Sequence, residues 1–127
     1  MALGKIKADT LEHSTAGSLD TSYVVNGSAK YWAMITNTGT YAVANSLSTS
    51  SVTDDATGNF TVTGITAMEN TNQAAVGTCA FSSANPSNNN LACTMETTTT
   101  LAVETTNASG TSADIVFNQV VINGDLA

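Results

Sequence analysis

Two cysteines, one adjacent pair of acids, a lone histidine and an asparagine-rich run are the residues here that could do chemistry. Cys79 and Cys93 lie symmetrically about Pro86. If 73–81 and 91–98 form a hairpin, the two thiols face each other across it. A disulfide there would close a loop of about 15 residues and stabilise the fold by roughly 3 kcal/mol. The alternative is two reduced, semi-buried thiols, the state that a reducing cytoplasm favours. No His or third Cys accompanies them, so neither a metal site nor a cofactor is expected. Asp54 and Asp55 open the run DDATGN, which reads as a tight turn whose acids cap the backbone. A glycosidase would need two carboxylates about 5–10 Å apart across a sugar cleft. A calcium loop over Asp54, Asp55, Thr57 and Asn59 lacks the closing Glu. His13 sits in a polar stretch and has no defensible Ser–Asp partners. The expected protein is not an enzyme.

Binding is the remaining chemistry. The polar loop Ser82–Asn90 (SSANPSNNN) is the candidate recognition surface, through Asn85, Asn88, Asn89 and Asn90. Their amides offer both donors and acceptors, and loops on rigid scaffolds usually carry contacts. The competing reading is a plain solvated loop. Tyr31 is a further candidate ligand contact, as part of a sugar-stacking platform with Trp32 and Tyr41. Trp32 alternates within a strand and reads better as a core or subunit-interface residue.

The elements that must position these residues follow from composition and alternation. The chain has 127 residues, 42% hydrophobic and 10% charged. That length is one domain's worth. Thr, Ser and Asn dominate, residues of strands and turns more than of helices. Three Lys, no Arg and ten acids give a net charge of −7. With no basic cluster, nucleic acid and anionic membrane surfaces are not expected partners. No apolar run is long enough to span a bilayer, and the first ten residues carry no apolar stretch of a secretion signal.

Residues 1–22 show no helical stripe and read as an extended arm with at most one short strand. From there strand follows strand to residue 127. Tyr23-Val24-Val25 ends at Asn26-Gly27, and Ala29–Thr36 places Tyr31, Ala33 and Ile35 on one face. Tyr41–Leu47 follows. Ser50–Thr53 and Phe60–Thr63 flank the Asp-rich turn as a hairpin. Gln73–Phe81, a long Thr-rich segment Leu91–Thr105 and the apolar Ala113–Ile122 complete the set. Short strands at this spacing predict an all-β domain, a small sandwich or barrel, over residues 23–127. Leu, Ile, Val and Phe supply only about a fifth of the chain, near the lower limit for building a core. Such a domain gains burial by associating with copies of itself, so an oligomer is expected.

The stretches AKYWAMITNTGT (29–40), SSVTDDATGNFTVTGITAM (50–68) and DIVFNQVVINGD (114–125) resemble a family of small bacteriophage tail-fibre and virion surface domains from phages of aquatic bacteria. The matching residues are Ala29, Lys30, Trp32, Thr38, Gly39 and Thr40 in the first stretch. In the second they are Ser50, Ser51, Thr53, Asp54, Thr57, Gly58, Thr61, Val62, Thr66, Ala67 and Met68; Gly124 and Asp125 close the third. The likeness spans most of the chain but not 69–113. Tyr31 and Met34 stand where the family has small or polar residues, Ile35 where it has an aromatic, and Gly64 where a large inward residue is usual.

The resemblance implies a homotrimeric virion structural protein, assembled in the bacterial host cytoplasm. The expected role is host adhesion at a tail fibre or fibre tip, with loops meeting a host surface glycan or protein. Residues 1–22 would hold the trimer together and contact other virion proteins. A chain this short shows no shaft segment. The alternative is therefore a capsid decoration or head-fibre protein, held on the shell by the same arm.

Overall fold

A computed structural model of the chain describes residues 8–82 and 88–127. Its elements are β1 (Thr10–His13), β2 (Gly17–Asp20), α1 (Thr21–Gly27), β3 (Ala29–Asn37), β4 (Tyr41–Leu47) and β5 (Thr49–Ala56). They continue with β6 (Asn59–Gly64), β7 (Ala74–Ala80), β8 (Asn90–Met95), β9 (Thr100–Thr106) and β10 (Phe117–Asn123). The domain is all-β. Strands β4-β3-β10-β7 form a first antiparallel sheet and β5-β6-β9-β8 a second. The two sheets share one core, so the architecture is a sandwich. Among the described residues β1 and β2 pair only with each other.

Period-two alternation builds the core. On β3 the side chains of Tyr31, Ala33 and Ile35 are buried while those of Trp32 and Met34 are half-buried on the opposite face. Phe60 and Val62 on β6, Leu101 and Val103 on β9, and Val120 and Ile122 on β10 fill the space between the sheets. Tyr41 and Phe60 stack across that space with ring centroids 4.4 Å apart. The ring of Tyr31 lies against Gly64: a Cβ there would come within 3.2 Å of its Cδ1 and Cε1. The large residue at 31 thus occupies the room that the absent side chain at 64 leaves.

Tight corners switch the chain between sheets. Gly39, at φ +114°, turns β3 into β4, and its N–H donates to Asn37 Oδ1 at 2.9 Å. Ser48, at φ +54°, is the single residue between β4 of one sheet and β5 of the other. Asp114 ties the irregular stretch before β10 to the β5–β6 turn. Its Oδ1 accepts from Gly58 N at 2.6 Å and from the Tyr41 hydroxyl at 3.2 Å. Beside it, buried Thr105 donates its hydroxyl to Ala113 O at 2.8 Å and Gly58 O at 3.2 Å.

Several local expectations are corrected. Residues 23–25 are helical, not a strand: Asp20 caps α1 by accepting from Ser22 N at 2.8 Å, and Gly27 ends it. Cap and stop outweigh the strand preference of Tyr-Val-Val. From residue 10 the expected arm folds back on itself as the β1–β2 hairpin. Asp54 and Asp55 lie on β5, beside a bulge, and the turn is only Thr57-Gly58. Gly58 takes the positive φ of 72° and Asp114 claims its N–H, which draws the hairpin tight. The long Thr-rich segment Leu91–Thr105 folds as the β8–β9 hairpin. Thr97 turns it, its hydroxyl accepting from the N–H groups of Thr99 and Thr100 at 3.2 and 3.1 Å. The 73–81/91–98 hairpin does not form, because β7 pairs with β10 and β8 with β9.

The two turn glycines give a contrast that can be measured. Nothing lies within 4 Å of a Cβ at Gly39, whereas one at Gly58 would sit 2.6 Å from Ala113 N and Thr105 O. Gly39→Ala is expected to cost about 1 kcal/mol, from backbone strain alone. Gly58→Ala should cost more than about 3 kcal/mol, since backbone must also shift. Urea unfolding midpoints of the two variants check this, and equal midpoints would contradict the packing at Gly58.

Candidate functional site

The outer face of the second sheet carries an open groove of about 570 Å³. Alternation decides what lines it. Inward positions of β6, β8 and β9 hold Phe60, Cys93 and Val103, so outward positions fall to Asn59, Thr61, Ala92, Thr94, Ala102 and Glu104. The register aligns them in rows across the strands: Thr53, Thr61, Ala102 and Thr94 form one, and Asn59, Glu104 and Ala92 the next. Small Ala and Thr side chains make the floor. Asp55, Glu96 and Glu104 stand around it, all exposed. Thr61 donates to Asp55 Oδ2 at 2.7 Å, and Ser112 donates to Glu104 Oε1 at 3.2 Å. The lining contains no cation.

Such a surface accepts hydrogen bonds more than it donates them, and its field is negative. Hydroxyl-rich or amine-bearing ligands suit it. A ligand rich in carboxylate, sulfate or phosphate would be repelled.

The sequence candidates fall in different places. Asn85 lies outside the described residues. Asn88 is exposed. Asn89 is half-buried, and its Nδ2 finds no partner among the described residues. Asn90 is the first residue of β8, two positions before Ala92, and so shares the outer face with Ala92 and Thr94. The end of the asparagine run therefore abuts the groove. Tyr31 is corrected outright: it is 1% exposed in the core, with its hydroxyl 3.4 Å from Met95 Sδ, and no external ligand reaches it. Tyr41 is likewise core. Trp32 is half-buried on the outer face of the first sheet, away from the groove.

Of the two readings of the cysteines the structure carries the reduced thiols. Cys79 and Cys93 are unbonded, the first buried on β7 and the second half-buried on β8, in different sheets. Burial raises both thiols above their ordinary value. A thiol so placed is a weak nucleophile. Among the described residues no three His, Cys, Asp or Glu gather as metal ligands. Sequence reasoning missed the groove because its floor is visible only once β5, β6, β9 and β8 are known to be neighbours. The available signal was the recurrence of Thr and Ala at alternate positions of three segments.

Comparison with protein-family models, with curated proteins and with solved structures finds no match to this chain.

The buried titratable groups predict a pH response. Burial, helped by Cys93, pushes the Tyr31 hydroxyl up to about 12, and burial raises Tyr41 as well. Folding thus favours the protonated forms of Tyr31, Tyr41, Cys79 and Cys93. The unfolded chain loses those protons first, so stability is full at neutral pH and falls as pH rises from about 9 towards 12. Denaturant unfolding across that range should show the decline. Tyr31→Phe should flatten its upper part, and an unchanged slope would mean that Tyr31 ionises as freely folded as unfolded.

Proposed function

We propose that this chain is a non-catalytic virion structural protein of a bacteriophage, acting in host adhesion at a tail fibre or fibre tip. It works as a homotrimer, and residues 1–22 hold copies together and join them to other virion proteins. The groove of the second sheet, with the Asn90 end of the polar loop beside it, meets a neutral or amine-bearing glycan on the host surface. The observation that carries this reading is the acid-rimmed groove of small side chains on the second sheet, with no cation among its described lining residues, together with the resemblance of residues 29–40, 50–68 and 114–125 to phage tail-fibre domains. Those stretches correspond to β3, the β5–β6 hairpin and β10. Three copies on one particle raise the avidity of a weak site by multivalency.

The test has two arms. Ala102→Arg and Thr94→Arg each fill the groove from an exposed or half-exposed outward position. Each should lower binding of the isolated protein to host cells by about tenfold or more, about 1.4 kcal/mol, while the circular dichroism spectrum stays unchanged. Unaltered binding would remove the groove from the proposal. Gold-labelling of the chain on intact particles is expected at the tail in few copies. Abundant label over the head would establish the rival reading, capsid decoration, in its place.

A further inference from the structure

The outer face of the first sheet differs from the groove in charge and in side-chain size. Its register aligns Leu47, Trp32, Val121 and Val76 in one row across all four strands. The next row is Asn45, Met34, Gln119 and Thr78, and the third is Ala42, Thr36, Phe117 and Ala80. Leu47 and Val76 are 48% and 56% exposed. Across β3, β4, β7 and β10 the only charged side chain is Lys30.

A second apolar surface lies on the N-terminal unit. Leu11 and Leu19 are direct cross-strand partners on β1 and β2 and are about half exposed. Tyr23, Val24 and Val25 of α1 are exposed as well, and the helix buries no residue. A two-stranded hairpin and a seven-residue helix are each marginal alone in water. Asn123 Nδ2 donates to Gly27 O at 2.7 Å and Lys30 donates to Val25 O, which anchors α1 at the end of β3 and β10.

We infer that the β1–β2–α1 unit of one copy covers the outer face of the first sheet of a second copy of this chain. Area, charge and symmetry support that occupant. Four strands about 4.8 Å apart, over the length of these rows, give a face of roughly 400 Å². A stable interface needs about 800 Å² from each partner, so two such faces pressed together fall short. In a ring each copy buries its sheet face on one neighbour and the exposed apolar residues of its N-terminal unit on the other, which enlarges the area each copy covers. That unit carries Glu12 and Asp20, and the one charged side chain on the sheet, Lys30, is of opposite sign. Two chains of charge −7 repel at long range and meet most readily over a surface that bears almost no negative charge. A contact between two different patches is heterologous, and a trimer is the ring it forms when the rotation between copies closes. This inference rests on the oligomeric part of the proposed function and not on where the protein sits in the particle.

Sedimentation of the full chain and of four variants tests it. Val76→Asp and Leu47→Asp change exposed positions on the sheet, and Leu11→Asp and Leu19→Asp change the hairpin. All four should give monomers of unaltered circular dichroism, with association weakened about 100-fold or more by the unpaired charge placed in the contact. A wild-type chain that stays monomeric at high concentration overturns both this inference and the trimer. Wild-type oligomers that survive both sheet variants overturn the interface and leave the trimer standing. Loss of assembly in the sheet variants alone overturns the N-terminal unit as occupant.

Discussion

Few bulky side chains must hold two four-stranded sheets together, and much of the structure answers that shortage. The core uses each aromatic across the sheet interface: Tyr41 stacks on Phe60, and Tyr31 spreads over Gly64. Where apolar volume gives out, polar groups take over. Asp114 and buried Thr105 bind the β5–β6 turn to the irregular stretch before β10 through partly buried hydrogen bonds. Such bonds are strong there because unpaired partners would be costly. The groove depends on the same joint, since β5 and β6 form one side of it.

The shortage also separates the two outer faces. A sandwich this thin exposes the backs of both sheets, and here they differ in kind. One back has small side chains and is rimmed by acids; the other carries a row of large apolar side chains and is nearly uncharged. The first can hold hydroxyl groups from a ligand. The second costs free energy in water unless another surface covers it.

Legibility in the sequence varied with the range of the interactions. Alternation at Tyr31, Ala33 and Ile35 is written in β3 itself and puts the three on one face, as it does for Phe60 and Val62 on β6. It also places Trp32 on the opposite face. The bounds of β4 at Tyr41 and Leu47 were plain because turn residues flank them. Local signals failed where two of them competed. At 21–27 the β-branched pair Val24-Val25 argued for a strand, while Asp20 and Gly27, a cap and a stop, produced a helix. At Asp54-Asp55 an acidic run looked like a turn, but a distant carboxylate at Asp114 fixed the turn farther along. Tyr31 was read as a possible ligand contact because nothing local says which face of β3 meets the second sheet.

From its residues alone the chain determined that it would be all-β, acidic, poor in bulky side chains and devoid of a basic cluster. Those are properties of composition and of period-two spacing, which need no knowledge of neighbours. Tertiary structure decided which strands lie side by side. It thereby separated Cys79 from Cys93 into different sheets, drew Thr61, Ala102 and Thr94 into one row, and did the same for Leu47, Trp32, Val121 and Val76. Pairing order depends on contacts between residues far apart in the chain, such as β3 with β10 and β6 with β9. No window of sequence contains both halves of such a pair, so the surfaces they create exist only in the folded molecule.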